Sequence, residues 1–145
     1  MKKLFCIGIL FLLVFSVLAR DYHSVSGDKI SSKDLNSEEK AVLLFWTTWC
    51  PYCAIQVKTF NAYCEELIGE GFKIFFVNVQ ESESRVKAFK AKMGLKCPVI
   101  LDKDGDLAYE YRISGIPTYI FLKEGKEIDR TNFINKKQLE RLYKE

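Results

Sequence analysis

The sequence predicts an α/β fold, built on a central mixed β-sheet that is flanked by helices. Two long segments predict interior strands: residues 41–47 form a continuous apolar run, which is typical of a strand buried on both faces of a sheet, and residues 72–79 are mostly apolar. A helical apolar pattern follows each run, and a predicted hairpin and one further helix close the chain. The 145 residues are 48% hydrophobic and 28% charged, which fits one domain and excludes a disordered chain.

Residues 1–19 have the features of a secretory signal peptide. Two lysines precede an apolar run of roughly 15 residues, which ends in small residues at Ala19. We expect cleavage after Ala19, which leaves one domain over residues 20–145. The alternative is an uncleaved membrane anchor, although a spanning helix needs about 20 apolar residues. An exported chain enters an oxidising compartment, where cysteine pairs form disulfides.

Apolar patterns predict the first half of this domain. A short strand is expected at Lys29–Ile30, ahead of the first long apolar run. Pro51 then begins a helix, at a position where its missing N–H costs no hydrogen bond. Apolar residues recur at spacings of three and four, which predicts one continuous helix that ends near Gly69 and Gly71. The buried stripe of this helix consists of Cys53, Val57, Phe60, Cys64 and Leu67.

Capping and stop signals predict the elements that follow the second long run. Ser82 is expected to cap a helix that ends at Gly94. The buried stripe of that helix consists of Val86, Phe89 and Met93. Residues 98–101 are predicted to form a short strand, and Leu107–Tyr111 a helical turn.

A hairpin and a capped helix are predicted at the end of the chain. Residues 118–122 and 127–130 form the hairpin, with Glu124–Gly125 at its turn. Asn135, with Gln138 three residues later, is expected to cap the last helix. The apolar residues of this helix are Leu139 and Leu142.

Cys50 and Cys53 are the predicted catalytic residues. Side chains three residues apart on a helix share a face, so the two sulfurs can form a disulfide. The helix N-terminus favours an anion, so we expect the pKa of the Cys50 thiol to lie below that of a free thiol. Cys50 is then the nucleophile that attacks a partner's disulfide, and Cys53 resolves the mixed disulfide. Trp46 and Trp49 flank the pair and can offer an apolar docking surface.

A plain structural disulfide and half of a zinc site are the alternative interpretations of this pair. A structural disulfide is rare at a strand-to-helix turn with tryptophans beside it, and zinc needs four ligands. We expect His23 to be a solvated side chain, and the sequence predicts no metal site. Asp102–Asp106 begins like a calcium loop but lacks the later glycine and carboxylate, so we expect a solvated turn.

The chain resembles the thioredoxin superfamily, and within it the exported TlpA/ResA-like thiol–disulfide oxidoreductases. The resemblance rests on TTWCPYC after a buried strand and on GIPT before TYIFL, and it covers roughly residues 25–143. It implies a thioredoxin-like fold with a βα insertion between the two halves of the core. It also implies that Pro117 is cis and faces the cysteine pair, and that Ile116 offers backbone hydrogen bonds to a bound peptide. The substrate-binding residues expected on these grounds are Trp46, Trp49, Pro51, Tyr52, Ile116 and Pro117.

The sequence departs from this family at positions that matter for proton transfer. Leu44 stands where thioredoxins often carry a buried Asp or Asn, and Gln56 stands where the TlpA/ResA-like branch often has a glutamate. Water, Cys50 or an unidentified acid must therefore take the proton from Cys53. Lys58 replaces the helix proline of the family, and CPYC is familiar from glutaredoxins. These departures leave the redox potential and the direction of electron flow open.

Cys64 and Cys97 admit two interpretations. Cys64 lies 11 residues after Cys53, or about 16 Å along a helix, which is too far for direct exchange with that pair. The two remaining cysteines are either separate buried thiols or a structural disulfide. The disulfide is feasible because the first long helix is expected to end where the 98–101 strand begins.

The function predicted is that of an exported, monomeric thiol–disulfide oxidoreductase that acts on protein disulfides, with no cofactor beyond its own dithiol. The resemblance implies a reductant, for example of apocytochrome c cysteines, that a membrane electron donor re-reduces. The alternatives are an oxidant with the same site and a binding module without catalysis. The 22 Lys and Arg residues nearly balance the 19 Asp and Glu residues, which argues against nucleic-acid binding. The lack of an arginine near the motif disfavours a peroxidase.

Overall fold

The computed structural model describes residues 20–35 and 40–144 and shows a seven-stranded mixed sheet with helices packed on it. The strands are β1 (Asp21–Ser24), β2 (Lys29–Ser31), β3 (Ala41–Trp46), β4 (Lys73–Val79), β5 (Val99–Asp102), β6 (Thr118–Lys123) and β7 (Lys126–Thr131). The helices are α1 (Ser32–Leu35), α2 (Pro51–Asn61), α3 (Cys64–Gly69), α4 (Glu83–Met93), α5 (Asp106–Glu110) and α6 (Lys136–Tyr143). The predicted signal peptide over residues 1–19 lies outside the described residues. Within the described ranges, no helix has the length and apolar character needed to cross a membrane.

The sheet order is β2-β1-β5-β4-β3-β6-β7. Strands β3, β4 and β5 are parallel, and β6 and β7 add to β3 as an antiparallel hairpin. In sequence, α4, β5 and α5 lie between the β3–α2–α3–β4 unit and the closing β6–β7–α6 unit. Strand β5 and helix α5 are the βα insertion predicted above. The parallel register places Trp46 opposite Asn78, so the carboxyl ends of β3 and β4 meet at one edge.

Strand β3 divides the core into two layers. All of its residues are buried, and alternate residues pack on opposite faces, as the continuous apolar run predicts. Val42, Leu44 and Trp46 pack with α2, α3, α4 and α6 on one face. Ala41, Leu43 and Phe45 pack with residues of α1 and α5 on the other face.

The prediction of one continuous helix from Pro51 to about Gly69 is wrong, because the structure contains two helices here, α2 and α3. The chain turns at Ala62–Tyr63, where the N–H of Tyr63 donates to the carbonyl of Phe60 at 3.0 Å. The amide of Asn61 is bonded to the loop after α4, to the carbonyl of Gly94 at 3.0 Å and the N–H of Lys96 at 2.7 Å. The predicted apolar stripe is nevertheless buried in both helices.

Three local predictions change in the structure. Strand β1 was not expected, because its sequence is polar and only alternate residues are buried. Ser82 precedes α4 as predicted, but its hydroxyl makes no capping hydrogen bond. The prediction of a solvated turn is wrong at Asp102, because this residue is buried. Its carboxylate accepts the N–H groups of Leu107 and Ala108 at 3.0 and 2.9 Å. This carboxylate therefore caps α5.

The end of the chain follows its capping signals. The Asn135 side chain accepts the N–H of Gln138 at 2.9 Å and begins α6. Tyr143, not among the predicted core residues, is buried at the other end of this helix. Its hydroxyl lies 2.9 Å from the carbonyl oxygen of Ala41 and 3.0 Å from that of Leu122, so it ties α6 to β3 and β6.

Candidate active site

The cysteine pair lies where β3 ends and α2 begins. Cys50 is the N-cap residue of α2, with φ −89° and ψ 111°, and its sulfur accepts the N–H of Cys53 at 3.1 Å. The two residues form a disulfide with a Cα–Cα distance of 5.2 Å, so the structure shows the oxidised pair. Cys50 is 7% exposed and Cys53 is fully buried, so a partner can approach the pair only through Cys50.

The segment before β6 forms the second part of the site. The Ile116–Pro117 peptide bond is cis, as the resemblance implies. The Thr118 hydroxyl donates to the carbonyl of Gly115 at 2.7 Å, and Asn132 Nδ2 donates to the carbonyl of Pro117 at 2.7 Å. Because the start of β6 pairs with the end of β3, this segment lies beside the loop that leads to Cys50.

Exposed apolar side chains surround the cysteine pair. Trp49 is 66% exposed and Tyr52 is 75% exposed, and Pro51 is also exposed. Ile116 is half-buried, and Pro117 is buried behind it. These residues, together with Cys50, form an apolar surface at which a polypeptide could be held.

Trp46 does not belong to this surface, so its predicted role in substrate docking is wrong. It is 0% exposed and packs against Phe89 of α4, with ring centroids 4.9 Å apart. The physical reason is the strand period of two: Trp46 points to the same face as Val42 and Leu44, which is the face that α4 covers.

An acidic residue with a buried side chain, Glu81, lies at the same end of the sheet and was missed by sequence reasoning. Its carboxylate accepts the backbone N–H of Thr48 at 2.7 Å and the Thr48 hydroxyl at 2.5 Å. Asn78 Nδ2 donates to it at 2.7 Å, and the Arg85 guanidinium lies 3.8 Å away. The available signal was a polar Asn at the end of an otherwise apolar strand, followed shortly by a carboxylate.

Three buried polar atoms near this edge of the sheet have no hydrogen-bond partner among the described residues. They are Trp46 Nε1, Thr47 Oγ1 and Asn78 Oδ1. All three belong to the carboxyl ends of β3 and β4, or to the loop that continues to Cys50. Buried polar atoms without a partner are uncommon in proteins, so this edge of the sheet is unusually polar for a core.

Gln56 is half-buried on α2, three residues after Cys53. The Tyr119 hydroxyl donates to Gln56 Oε1 at 3.2 Å and lies 3.4 Å from the Gln56 carbonyl oxygen. Burial raises the pKa of Tyr119 above its ordinary value, so the phenol stays neutral. The family's glutamate is thus replaced by an amide that is held by a neutral phenol.

Cys64 and Cys97 are joined by a disulfide with a Cα–Cα distance of 5.7 Å. Both residues are fully buried. The bond links the start of α3 to the segment before β5, beside the hydrogen bonds that Asn61 makes to the same segment. Of the two interpretations that the sequence left open, the structure therefore contains the bonded one.

The described part of the chain holds no group of three or more His, Cys, Asp or Glu side chains that could bind a metal ion. His23 is exposed on β1. The site consists of the two sulfurs, the apolar surface around them and the polar groups at the carboxyl ends of β3 and β4.

Comparison with known sequences identifies a family and several relatives of this chain. A sequence profile of the AhpC/TSA family matches residues 15–138. The sporulation thiol-disulfide oxidoreductase A of Bacillus subtilis (strain 168) is 34% identical over 111 residues, covering 74% of this chain and 66% of that protein. The thiol-disulfide oxidoreductase ResA of the same strain is 36% identical over 112 residues, covering 71% of this chain and 58% of that protein. The chain thus spans less than two thirds of the length of these relatives.

Solved structures show the same fold. StoA from Bacillus subtilis has a TM-score of 0.75 at 27% identity, covering 87% of this chain and 96% of that chain. A secreted Mycobacterium tuberculosis disulfide oxidoreductase has a TM-score of 0.72 at 20% identity, covering 85% of this chain and 92% of that chain. At this identity the similarity supports the fold alone. The predicted thioredoxin-like α/β fold is confirmed.

Proposed function

This chain belongs to the AhpC/TSA family, and from that premise we propose that it is an exported thiol–disulfide oxidoreductase whose substrates are proteins. The observation that carries the proposal is the Cys50–Cys53 disulfide at the start of α2, next to the cis Pro117 segment. Relatives more than 30% identical to the chain bear the name thiol-disulfide oxidoreductase. The dithiol is the proposed electron carrier, and the chemistry needs no other cofactor.

The proposed reaction is a pair of thiol–disulfide exchanges. The Cys50 thiolate attacks one sulfur of a client disulfide, forms a mixed disulfide and expels the other client sulfur as a thiolate. Cys53 then loses its proton and attacks the Cys50 sulfur, which forms the Cys50–Cys53 disulfide and releases the second client sulfur. Two electrons pass to the client, and both of its cysteines take protons from solvent and end as thiols.

The surface around Cys50 supports a protein client. Trp49 and Tyr52 next to Cys50 are exposed to solvent, and Ile116 is half-buried before the cis Pro117. The resemblance implies that the backbone of Ile116 bonds to an extended peptide. Cys50 is the nucleophile because its sulfur is the accessible one, and Cys53 is enclosed by the core. Large aromatic side chains beside a reactive group supply contact area at small entropic cost.

We propose that electrons flow from this protein to its clients and that a membrane electron donor re-reduces it. The resemblance to TlpA/ResA-like proteins and the Ile116 side chain before the cis proline support the reducing direction. Thioredoxin has a potential of about −270 mV and DsbA one of about −120 mV. A measured potential above about −150 mV would instead assign the protein as a disulfide-forming oxidant.

The proposed location is outside the cytoplasm, where the protein acts as a monomer. The basic and apolar sequence of residues 1–19 supports export, with residues 20–145 as the mature domain. The buried Cys64–Cys97 disulfide also supports it, because stable disulfides form and persist in oxidising compartments.

The test is an insulin-reduction assay that compares the reduced wild type with Cys50→Ser. We expect the variant to lose essentially all activity, because the nucleophilic sulfur is gone. The matched control, Cys64→Ala with Cys97→Ala, removes the other disulfide and should keep the wild-type rate. Equal rates in wild type and Cys50→Ser would reject the mechanism.

Cys53→Ser separates catalysis from simple binding. The mixed disulfide formed through Cys50 cannot be resolved in this variant, so client proteins should accumulate as adducts that reductant releases. A binding module without catalysis would form none, and the same experiment on Cys50→Ser supplies the background.

A further inference from the structure

We infer that Glu81 is a positioning residue, which fixes the loop in front of Cys50 and, through its negative charge, makes the Cys50–Cys53 pair more reducing. This role rests on the proposed function, because it concerns the same disulfide. The exchange steps described above do not use this side chain, and the departures at Leu44 and Gln56 leave the site without the acidic residues that its relatives often carry.

The Glu81 carboxylate is bound to the loop that joins β3 to α2. One oxygen accepts the Thr48 backbone N–H at 2.7 Å, and the other accepts the Thr48 hydroxyl at 2.5 Å. Asn78, at the end of β4, donates to the same carboxylate at 2.7 Å. These bonds fix both the backbone and the side chain of Thr48, which lies two residues before Cys50.

Glu81 is a buried charge whose counter-ion is exposed. Its side chain is 5% exposed, whereas that of Arg85, 3.8 Å away, is 62% exposed. Over residues 20–35 and 40–144, no other charged group contacts the carboxylate. The remaining donors to it are the neutral groups of Thr48 and Asn78. Water screens the arginine more than the carboxylate, so a net negative field persists inside the protein.

The direction of the effect on Cys50 follows from Coulomb's law. Each residue extends the chain by at most about 3.6 Å, so the carboxylate lies on the order of 10 Å from Cys50. A charge at that distance inside a protein changes an equilibrium about tenfold. A negative charge disfavours the Cys50 thiolate and so destabilises the reduced pair, which lowers the reduction potential.

The experiment measures the equilibrium of the Cys50–Cys53 pair with glutathione in the full chain. Glu81→Gln keeps the shape of the side chain and removes its charge. We expect the equilibrium to shift about tenfold toward the dithiol, or about 30 mV for this two-electron couple. Arg85→Glu replaces the counter-ion with a second negative charge and should shift the equilibrium about threefold toward the disulfide.

The matched control is Lys87→Glu, which makes the same charge reversal on the same helix. Lys87 pairs with Glu83 at 2.8 Å instead of with Glu81, so this variant should keep the wild-type equilibrium. Shifts of opposite sign in Glu81→Gln and Arg85→Glu support an electrostatic role, because a role confined to folding does not reverse with the sign of the charge.

An unchanged equilibrium in Glu81→Gln overturns the role of Glu81 and leaves the proposed function intact. If Glu81→Gln does not fold, the Arg85→Glu variant provides the test. An equilibrium with glutathione equal to that of Lys87→Glu then overturns the role of Glu81. A wild-type pair that does not exchange with glutathione at all overturns the proposed function together with this role, so the two failures are distinguishable.

Discussion

Gln56 places a neutral, half-buried amide three residues after Cys53 on α2. Its Oε1 accepts a hydrogen bond from Tyr119, and burial raises the pKa of that phenol well above the range in which thiols ionise. Neither group can therefore take the proton that Cys53 loses in the proposed resolution of the mixed disulfide. Another acceptor, such as water, must take this proton, and we expect its transfer to limit the rate of the resolution step.

Gln56→Glu should speed up the resolution step. A carboxylate at this position can accept the Cys53 proton and still accept the hydrogen bond from Tyr119. We expect the release of the client from the mixed disulfide at neutral pH to become at least about tenfold faster. Single-turnover kinetics with a disulfide peptide measures this rate. Thr59→Glu, which adds the same charge on the exposed side of α2, should change it little. Equal rates in the wild type and Gln56→Glu would contradict proton transfer as the slow event.

At the scale of elements, the break between α2 and α3 is set by a contact with a distant part of the chain. Asn61 bonds to the carbonyl of Gly94 and the N–H of Lys96, so the end of α2 is held against the loop that leads to β5. The apolar period of the sequence continues through the break, because Cys64 and Leu67 still face the core. The period therefore predicted which face is buried but not where the helix ends.

Asn61→Ala should destabilise the fold modestly. The variant loses two hydrogen bonds that lie at the surface, where water can replace them, so we expect unfolding to need about 1 kcal/mol less free energy. Chemical denaturation monitored by far-ultraviolet circular dichroism measures the change. Thr59→Ala on the same helix, an exposed position, is the control and should be nearly neutral. A loss of unfolding free energy as small as that of Thr59→Ala would show that the Asn61 hydrogen bonds do not stabilise the junction between α2 and α3.

The elements most accurately predicted from the sequence are those whose signals are local. The runs 41–47 and 72–79 became interior strands, Gly94 ended α4 in the left-handed conformation, and Asn135 capped α6. Strand β1 was missed because it forms by pairing with β5, a distant contact that its own polar sequence does not indicate. Trp46 was misplaced because its nearness to the cysteines in sequence was given more weight than its position in the strand period.

At the scale of the whole molecule, the two disulfides lie at opposite ends of the sheet. Cys50 follows the carboxyl end of β3, whereas Cys97 precedes the amino end of the parallel strand β5. A strand of six residues separates these ends by about 20 Å. The cysteine pair and the Pro117 segment could be predicted from motifs. No motif marks Glu81, because its contacts with Thr48 and Asn78 form only when the ends of β3 and β4 meet in the fold.

This separation predicts that the Cys64–Cys97 bond stabilises the fold without tuning the active pair. The bond spans 33 residues in sequence. Closing a loop of that length lowers the entropy of the unfolded chain, which stabilises the fold by about 3 to 4 kcal/mol. Cys64→Ala with Cys97→Ala should therefore lower the unfolding free energy by about that amount under oxidising conditions, as measured by denaturant titration. The equilibrium of Cys50–Cys53 with glutathione should stay at its wild-type value.

A reductant supplies the control for this experiment. With both disulfides of the wild type reduced, most of the difference in stability between the wild type and the double alanine variant should disappear, because the unfolded chains are then equally free. A difference that persists in reductant would show that packing of the two sulfurs in the core, and not the cross-link, carries the stability. A shifted Cys50–Cys53 equilibrium in the variant would show instead that the two ends of the sheet are coupled.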